Sequence, residues 1–192
     1  MKIESDEEIP ELISDINDKI QALNDYLGDR NVDEAKIQFP RGYLRSCASH
    51  RNKYSFVKCP TLKSNIAYAK MTSDVFRWLL NRTNLSLSAK EMVIKQGVAL
   101  MGSVAESVVK DFTKGMPDAG SKKSYKVRTE KLLEYKHIDD ELKSELDWLW
   151  DIRNNVHLML LDEKEYCKYG LPDYNRAVVA LQTLRVSLGG KP

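Results

Sequence analysis

The chain has 192 residues, of which 42% are hydrophobic and 30% are charged, and its formal net charge is +2 at pH 7. These values are typical of a soluble globular protein with one domain, or with one domain and an appendage. No apolar run reaches the roughly 18–20 residues that cross a bilayer, and the acidic N-terminus lacks the apolar segment of a secretory signal.

Hydrophobic residues recur at helical spacing along most of the chain. The pattern predicts helices over residues 7–28, 60–82, 89–114, 125–135, 142–161 and 173–188. Gly28 is a plausible stop for the first helix, Ser88 and Glu91 form a capping-box pattern, and Asp139 is a good N-cap for the central helix. Residues 54–57 are compatible with a short extended piece.

These elements predict an all-α protein in three parts. Residues 1–60 form an N-terminal helix and a basic, partly irregular extension, residues 61–188 form a helical bundle, and residues 189–192 form a flexible tail. Gly97 and Gly102 are unfavourable inside a helix and indicate close helix–helix approach.

The cysteines are few and lack the spacing of a metal site. They are Cys47, Cys59 and Cys167. Such sparse use of cysteine favours a reducing, cytoplasmic compartment. We therefore expect a cytoplasmic protein with no cofactor, no metal and no membrane contact.

Residues 35–73 contain eight Lys and Arg residues, interleaved with aromatic side chains, and contain no Asp or Glu. Cations neutralise phosphates and aromatic rings stack on bases, so this composition favours nucleic-acid contact. A solvated basic face that balances the acidic first helix is the alternative. The candidate contact residues, including a second cluster near residue 125, are Arg41, Arg45, Arg51, Lys53, Lys58, Lys122, Lys123 and Lys126.

Arg153 interrupts the apolar stripe of the central helix, and His157 follows one turn later. An unpaired buried guanidinium is costly, so Arg153 needs a partner or a wet cleft. Glu106, among small and apolar residues of the preceding long helix, is a candidate carboxylate partner. Alternatively, Glu106 is an exposed flank residue, and Arg153 and His157 are satisfied side chains of the bundle core or of an interface.

The run KLLEYKHIDDELKSELDWLWDIRNNVHL, residues 131–158, resembles the HEPN (higher eukaryotes and prokaryotes nucleotide-binding) superfamily. The resemblance covers roughly residues 86–188. The residues that carry it are Ile138, Asp139, Glu141 and Leu142 before the helix, and Arg153, Asn154 and His157 within it. Three residues separate Arg153 from His157, where the family usually has four to six. Arg45 and His50 do have four residues between them, but they lie outside the bundle helices, and we interpret that match as coincidence.

The resemblance implies an antiparallel helical bundle that forms a homodimer. It also implies metal-independent cleavage of single-stranded RNA by attack of the 2′-hydroxyl, in a toxin–antitoxin or phage-defence system with a possible antitoxin partner. His157 would act as general base or acid, Arg153 would hold the phosphate and Asn154 would orient them. The alternative is a non-catalytic dimeric module that binds nucleic acid or a protein.

Overall fold

The structure is a computed structural model that describes residues 2–119, 123–154 and 168–191. Within these ranges the regular structure is helical, with seven α-helices and no strand. The helices are α1 Ile9–Leu27, α2 Cys47–Lys53, α3 Pro60–Arg82, α4 Leu87–Thr113, α5 Tyr125–Glu134, α6 Asp140–Asn154 and α7 Leu171–Ser187. The prediction of an all-α protein is confirmed, whereas the extended piece at residues 54–57 is wrong because a turn follows α2 there.

The contacts divide the chain into two units, one up to Pro40 and one from Arg41 onward. The first unit contains α1, which ends where predicted. Gly28 has a φ of 53°, and its N–H donates to the carbonyl of Asn24 at 2.9 Å. A left-handed residue at this position is a common helix stop and favours glycine.

The second unit is a helical bundle built around α4. This helix packs against α3, α5, α6 and α7, and its buried face includes Ile94, Val98, Met101 and Val108. In the part of the chain that is described, α4 is the one helix long and apolar enough to cross a membrane. About two-thirds (67%) of its most apolar stretch is buried inside the protein, as expected for a core helix.

Two glycines let other helices approach α4 closely. A Cβ built on Gly97 would lie 2.6 Å from the ring of Tyr174 in α7. A Cβ on Gly102 would lie 2.8 Å from the carbonyl oxygen of Leu149 and 2.9 Å from Cβ of Arg153 in α6. The predicted close helix–helix approach is therefore confirmed, and Gly102 brings α4 against the helix that carries Arg153.

The helix starts are a mixture of confirmed and incorrect predictions. Asp139 accepts a hydrogen bond from the backbone N–H of Leu142 at 2.8 Å, so the predicted cap of α6 is confirmed. The predicted box of Ser88 and Glu91 is wrong, because α4 already begins at Leu87 and its N-cap is Ser86. Of the apolar stripe predicted for the central helix, Leu142, Leu146 and Leu149 are buried.

Candidate functional site

Arg153 lies in the last turn of α6 and has a carboxylate partner. Its Nη2 atom lies 3.1 Å from Oε2 of Glu106, whose side chain is 10% exposed, while the side chain of Arg153 is 37% exposed. Nη1 of Arg153 also donates to Oδ1 of Asn154 at 3.0 Å. The structure therefore brings together Arg153, Asn154 and Glu106, whereas His157 lies outside the described residues.

The guanidinium of Arg153 has further neighbours. It lies 5.2 Å from the ring centroid of Trp150, and that ring stacks on Tyr125 with centroids 4.7 Å apart. Lys110 forms a second ion pair with Glu106. A carboxylate shared by two cations and an aromatic ring below the guanidinium are features of a structural ion pair. Glu106 is thus the partner that the position of Arg153 requires, and part of the Arg153 side chain is still exposed to solvent.

The predicted basic residues separate into several environments. The exposed ones are Arg41, Arg51, Lys58, Lys123 and Lys126. Lys126 pairs with Asp151 of α6 at 3.0 Å, and Lys122 lies outside the described residues. Arg45 and Lys53 instead line a cavity between α2, α3 and α7. The candidate contact residues that the structure describes therefore lie in different environments.

This cavity, which we name the cationic pocket, has a volume of about 200 Å³. Five of its lining residues are cations, and no carboxylate is among the described residues that line it. The cations are Arg45, Lys53, Lys70, Arg77 and Arg185. The other lining residues are His50, Tyr54, Ser73, Tyr174, Val178, Leu181 and Gln182.

Helix geometry explains how distant residues meet in the pocket. Lys70, Asp74 and Arg77 follow one another at spacings of four and three residues, so they share one face of α3. Leu181 and Arg185 lie four residues apart on the facing side of α7 and also line the pocket. The short helix α2 packs on α3 and contributes the third wall.

Asp74 does not line the pocket, but it holds two residues that do, Arg45 and His50. Its carboxylate is 1% exposed and accepts hydrogen bonds from the backbone N–H of Arg45 at 3.0 Å and from its Nε at 3.1 Å. Nε2 of His50 lies 3.1 Å from the same carboxylate. Burial alone would raise the pKa of Asp74, but the hydrogen bonds from Arg45 outweigh it and hold the pKa below the usual value.

His50 is buried beside this carboxylate. Burial lowers the pKa of the imidazole, and the hydrogen bond with Asp74 opposes that shift without cancelling it. The pKa of Arg45 is raised, mainly by its hydrogen bonds to Asp74. Asp74 therefore offsets the charge of Arg45, and a neutral His50 adds no positive charge near pH 7.

Arg77 shares this carboxylate, with Nη2 3.8 Å from Oδ1 of Asp74 and 3.4 Å from the carbonyl oxygen of Tyr43. Lys53, Lys70 and Arg185 form no ion pair with a described carboxylate. Nζ of Lys70 lies 3.4 Å from Sδ of Met101, a weak acceptor. Burial and the neighbouring Arg45 lower the pKa of Lys70 to about 8. Arg185 is only 8% exposed, and its Nε and that of Arg77 are buried without a hydrogen-bond partner. The pocket thus presents unsatisfied donors, as an anion-binding site does before its ligand arrives.

Sequence reasoning identified Arg45 and Lys53 but not Lys70, Arg77 or Arg185. One signal was available, because Asp74 is the first carboxylate after the acid-free run of residues 35–73. Arg45 and His50 match the HEPN spacing that we interpreted as coincidence, and the structure places both on Asp74.

No protein-family profile matches the chain, and no curated protein and no solved structure is significantly similar to it. The resemblance to HEPN domains therefore rests on the residues of the chain itself. In residues 2–119, 123–154 and 168–191, no three His, Cys, Asp or Glu side chains are grouped closely enough to hold a metal ion.

Proposed function

We propose that the chain is a HEPN-like module that binds RNA, and that the cationic pocket holds a phosphate of the bound strand. The observation that carries this proposal is the convergence of five cations on one cavity that no described carboxylate lines. A phosphate supplies the negative charge and the hydrogen-bond acceptors that these side chains need.

Electrostatics favours an anion here over an empty pocket. Arg185 is buried and Lys70 is partly buried. Burial first, and then repulsion by the neighbouring cations, lowers the pKa values of Lys70 and Lys53. Clustered like charges in a concave, partly desolvated site raise the local concentration of anions. Arg185 can offer two parallel donors to phosphate oxygens, which a lysine cannot do.

The experiment measures the affinity of the full chain for a fluorescently labelled single-stranded RNA by anisotropy at several salt concentrations. Affinity should fall steeply with salt, because each neutralised phosphate of a single strand contributes about −0.7 to the logarithmic slope. The double variant with Lys53→Gln and Arg185→Gln should bind at least about tenfold more weakly and show a shallower slope.

Arg82→Gln is the matched control, because Arg82 is the exposed last residue of α3 and does not line the pocket. Its affinity should stay within about twofold of the unmodified protein. Equal losses in the double variant and the control would contradict a role for the pocket. An absence of salt-sensitive RNA binding by the unmodified chain would overturn the proposed function.

Metal-independent RNA cleavage at Arg153, Asn154 and His157 is the second candidate function. The observation that favours it is the 37% exposure of Arg153, whose guanidinium is held in place by Glu106 and can still contact a phosphate. In this mechanism His157 removes the proton of a ribose 2′-hydroxyl, whose oxygen attacks the neighbouring phosphate. The products are a 2′,3′-cyclic phosphate and a 5′-hydroxyl, and a homodimer would supply a second His157 as the acid.

Cleavage of single-stranded RNA in the presence of EDTA, abolished by His157→Ala, would support this second function. Cleavage that this variant leaves undiminished would reject it. RNA binding without cleavage would leave the binding module as the function. A toxin–antitoxin or phage-defence setting and an antitoxin partner belong to the same proposal.

A further inference from the structure

The size of the cationic pocket limits what can enter it. Its volume of about 200 Å³ is below the roughly 300 Å³ at which pockets for drug-sized ligands begin. A phosphate group with a few waters fits this space, whereas the base of a nucleotide has to remain outside it.

The segment after α7 occupies one edge of the pocket. The N–H of Gly190 donates to the carbonyl of Arg185 at 2.8 Å. A Cβ on Gly190 would lie 2.5 Å from Cγ of Arg185 and 2.7 Å from the carbonyl oxygen of Lys53. Nζ of Lys191 also donates to Oδ1 of Asn52 at 3.2 Å. An internal phosphate of an RNA strand is bonded to a nucleoside on each side, so one arm of the strand would have to pass the segment after α7. A terminal phosphate is bonded to a nucleoside on one side only, so only one arm of the strand has to leave the pocket.

The charge and the donors of the pocket exceed what one diester can satisfy. The single charge of Asp74 is shared by Arg45 and, at 3.8 Å, Arg77, whereas Lys70 meets only a thioether sulfur. The buried Nε atoms of Arg77 and Arg185 have no partner among the described residues. A phosphate monoester carries about −1.5 to −2 charge and three strong acceptor oxygens, whereas a diester carries a single charge.

From size, closure and charge together, we propose that the cationic pocket binds a terminal phosphate monoester, such as the phosphorylated end of an RNA strand. This inference rests on the proposed function and specifies which phosphate of the RNA is recognised. Arg185, Arg77 and Lys70 contact the terminal oxygens, and the rest of the strand leaves toward solvent.

The test compares RNA oligonucleotides of one sequence that carry a 5′-phosphate, a 3′-phosphate or hydroxyls at both ends. Affinity is measured by anisotropy through an internal label with the full chain. At least one phosphorylated oligonucleotide should bind about tenfold or more tightly than the hydroxyl form. Equal affinity for all three oligonucleotides would overturn the inference and leave the proposed RNA binding standing.

Two variants test whether the preference for a terminal phosphate depends on the cationic pocket. Arg185→Gln and, independently, Lys53→Gln should reduce the preference to less than about threefold, and Arg82→Gln should leave it unchanged. Thermal unfolding of each variant shows that it is folded. Lys53 is only partly buried, so its variant tests the pocket even if Arg185→Gln does not fold. A preference that survives in the folded variants would overturn the assignment to this pocket.

A separate arm distinguishes failure of this inference from failure of the proposed function. If no RNA binds, the proposed function is wrong, and adenosine 5′-monophosphate is then compared with adenosine in thermal unfolding. Stabilisation by the monophosphate alone, lost in Lys53→Gln, would support a monoester site that takes a free nucleotide. Stabilisation by neither compound would overturn the inference as well.

Discussion

The ammonium nitrogen of Lys70 lies 3.4 Å from the thioether sulfur of Met101, inside the bundle and beside three arginines. A partly buried cation that meets only a weak acceptor costs folding free energy unless a ligand compensates. The pKa of Lys70 is lowered from 10.5 to about 8 because the native state disfavours the charged form of this amine. The same side chain should therefore weaken the fold and strengthen anion binding.

Replacing Lys70 by Met should stabilise the ligand-free protein. The shift in pKa corresponds to a cost on the order of 3 kcal/mol, at 1.36 kcal/mol per unit. Because the amine is only partly buried and Met must repack, we expect a gain of about 1–2 kcal/mol in the free energy of unfolding at pH 7. Urea unfolding measures it, and RNA affinity should fall severalfold in the same variant.

The gain from Lys70→Met should depend on pH in a defined direction. At pH 7 the lysine is charged in both states and the cost is complete. Between about pH 8 and 10.5 the native state loses its proton before the unfolded state does, so the unmodified protein gains stability relative to the variant. Lys63→Met, on the same helix and outside the pocket, is the control for replacing a lysine of α3 by methionine. A constant difference between pH 7 and pH 10 would contradict the account.

Asp74→Asn should destabilise the protein, because Arg45 and His50 would lose the carboxylate that they share. With Asp74 buried and Arg45 partly exposed, we expect a loss of about 2–4 kcal/mol in urea unfolding at pH 7. The native pKa of Asp74 is below its usual 3.8, so its stabilisation is complete above about pH 4 and disappears as the pH falls. The difference from the unmodified protein should narrow at about pH 3.

Asp151→Asn provides the comparison for Asp74→Asn. Asp151 is exposed and pairs with Lys126 on the surface, where ion pairs contribute about 0–1 kcal/mol. Its variant should stay within about 0.5 kcal/mol of the unmodified protein at both pH values. Similar losses in the two variants would show that the contacts of Asp74 contribute no more to the free energy of unfolding than a surface ion pair does.

Gly102→Ala should force α4 and α6 apart. The added Cβ would lie 2.8 Å from the carbonyl oxygen of Leu149, and a backbone atom cannot turn away as a flexible side chain can. We expect a loss of about 1–3 kcal/mol in the free energy of unfolding. Gly115→Ala is the control, since its Cβ would meet nothing within 4 Å, and a loss as large in the control would contradict the packing argument.

The sequence was sufficient for the helices, because each helix of the bundle buries a periodic apolar stripe. The observed helices α3 and α5 begin at the predicted residues, Pro60 and Tyr125. The exception is α2, which was not predicted because a seven-residue helix is too short to show a stripe. In Cys47–Lys53 the one buried side chain is His50, and a single buried polar residue carries no periodicity.

The two sites differ in how far the sequence could predict them. For Arg153 a local rule predicted the need for a partner or a wet cleft, and Glu106 was one of the two possibilities left open; the structure shows that the two residues are paired. The cationic pocket joins Arg45 before α2, Lys70 in α3 and Arg185 in α7. Their convergence depends on how three helices pack, and no local pattern encodes that packing. Arg185 lies in the last turn of α7, where a basic residue is favoured by the helix dipole and by itself indicates no site.

The pair of Arg153 and Glu106 leads to a last prediction, about the unequal effects of removing either partner. Without Arg153, Glu106 still has Lys110, so Arg153→Met should cost only about 1 kcal/mol or less. In the variant Glu106→Gln, Arg153 and Lys110 would both lie beside an uncharged and nearly buried amide, and their charges would repel each other. Glu106→Gln should therefore cost more, about 1–3 kcal/mol. Urea unfolding of both variants measures the difference, with the exposed Lys19→Met in α1 as a control within about 0.5 kcal/mol. A larger loss for Arg153→Met than for Glu106→Gln would mean that Arg153 stabilises the bundle through contacts other than Glu106.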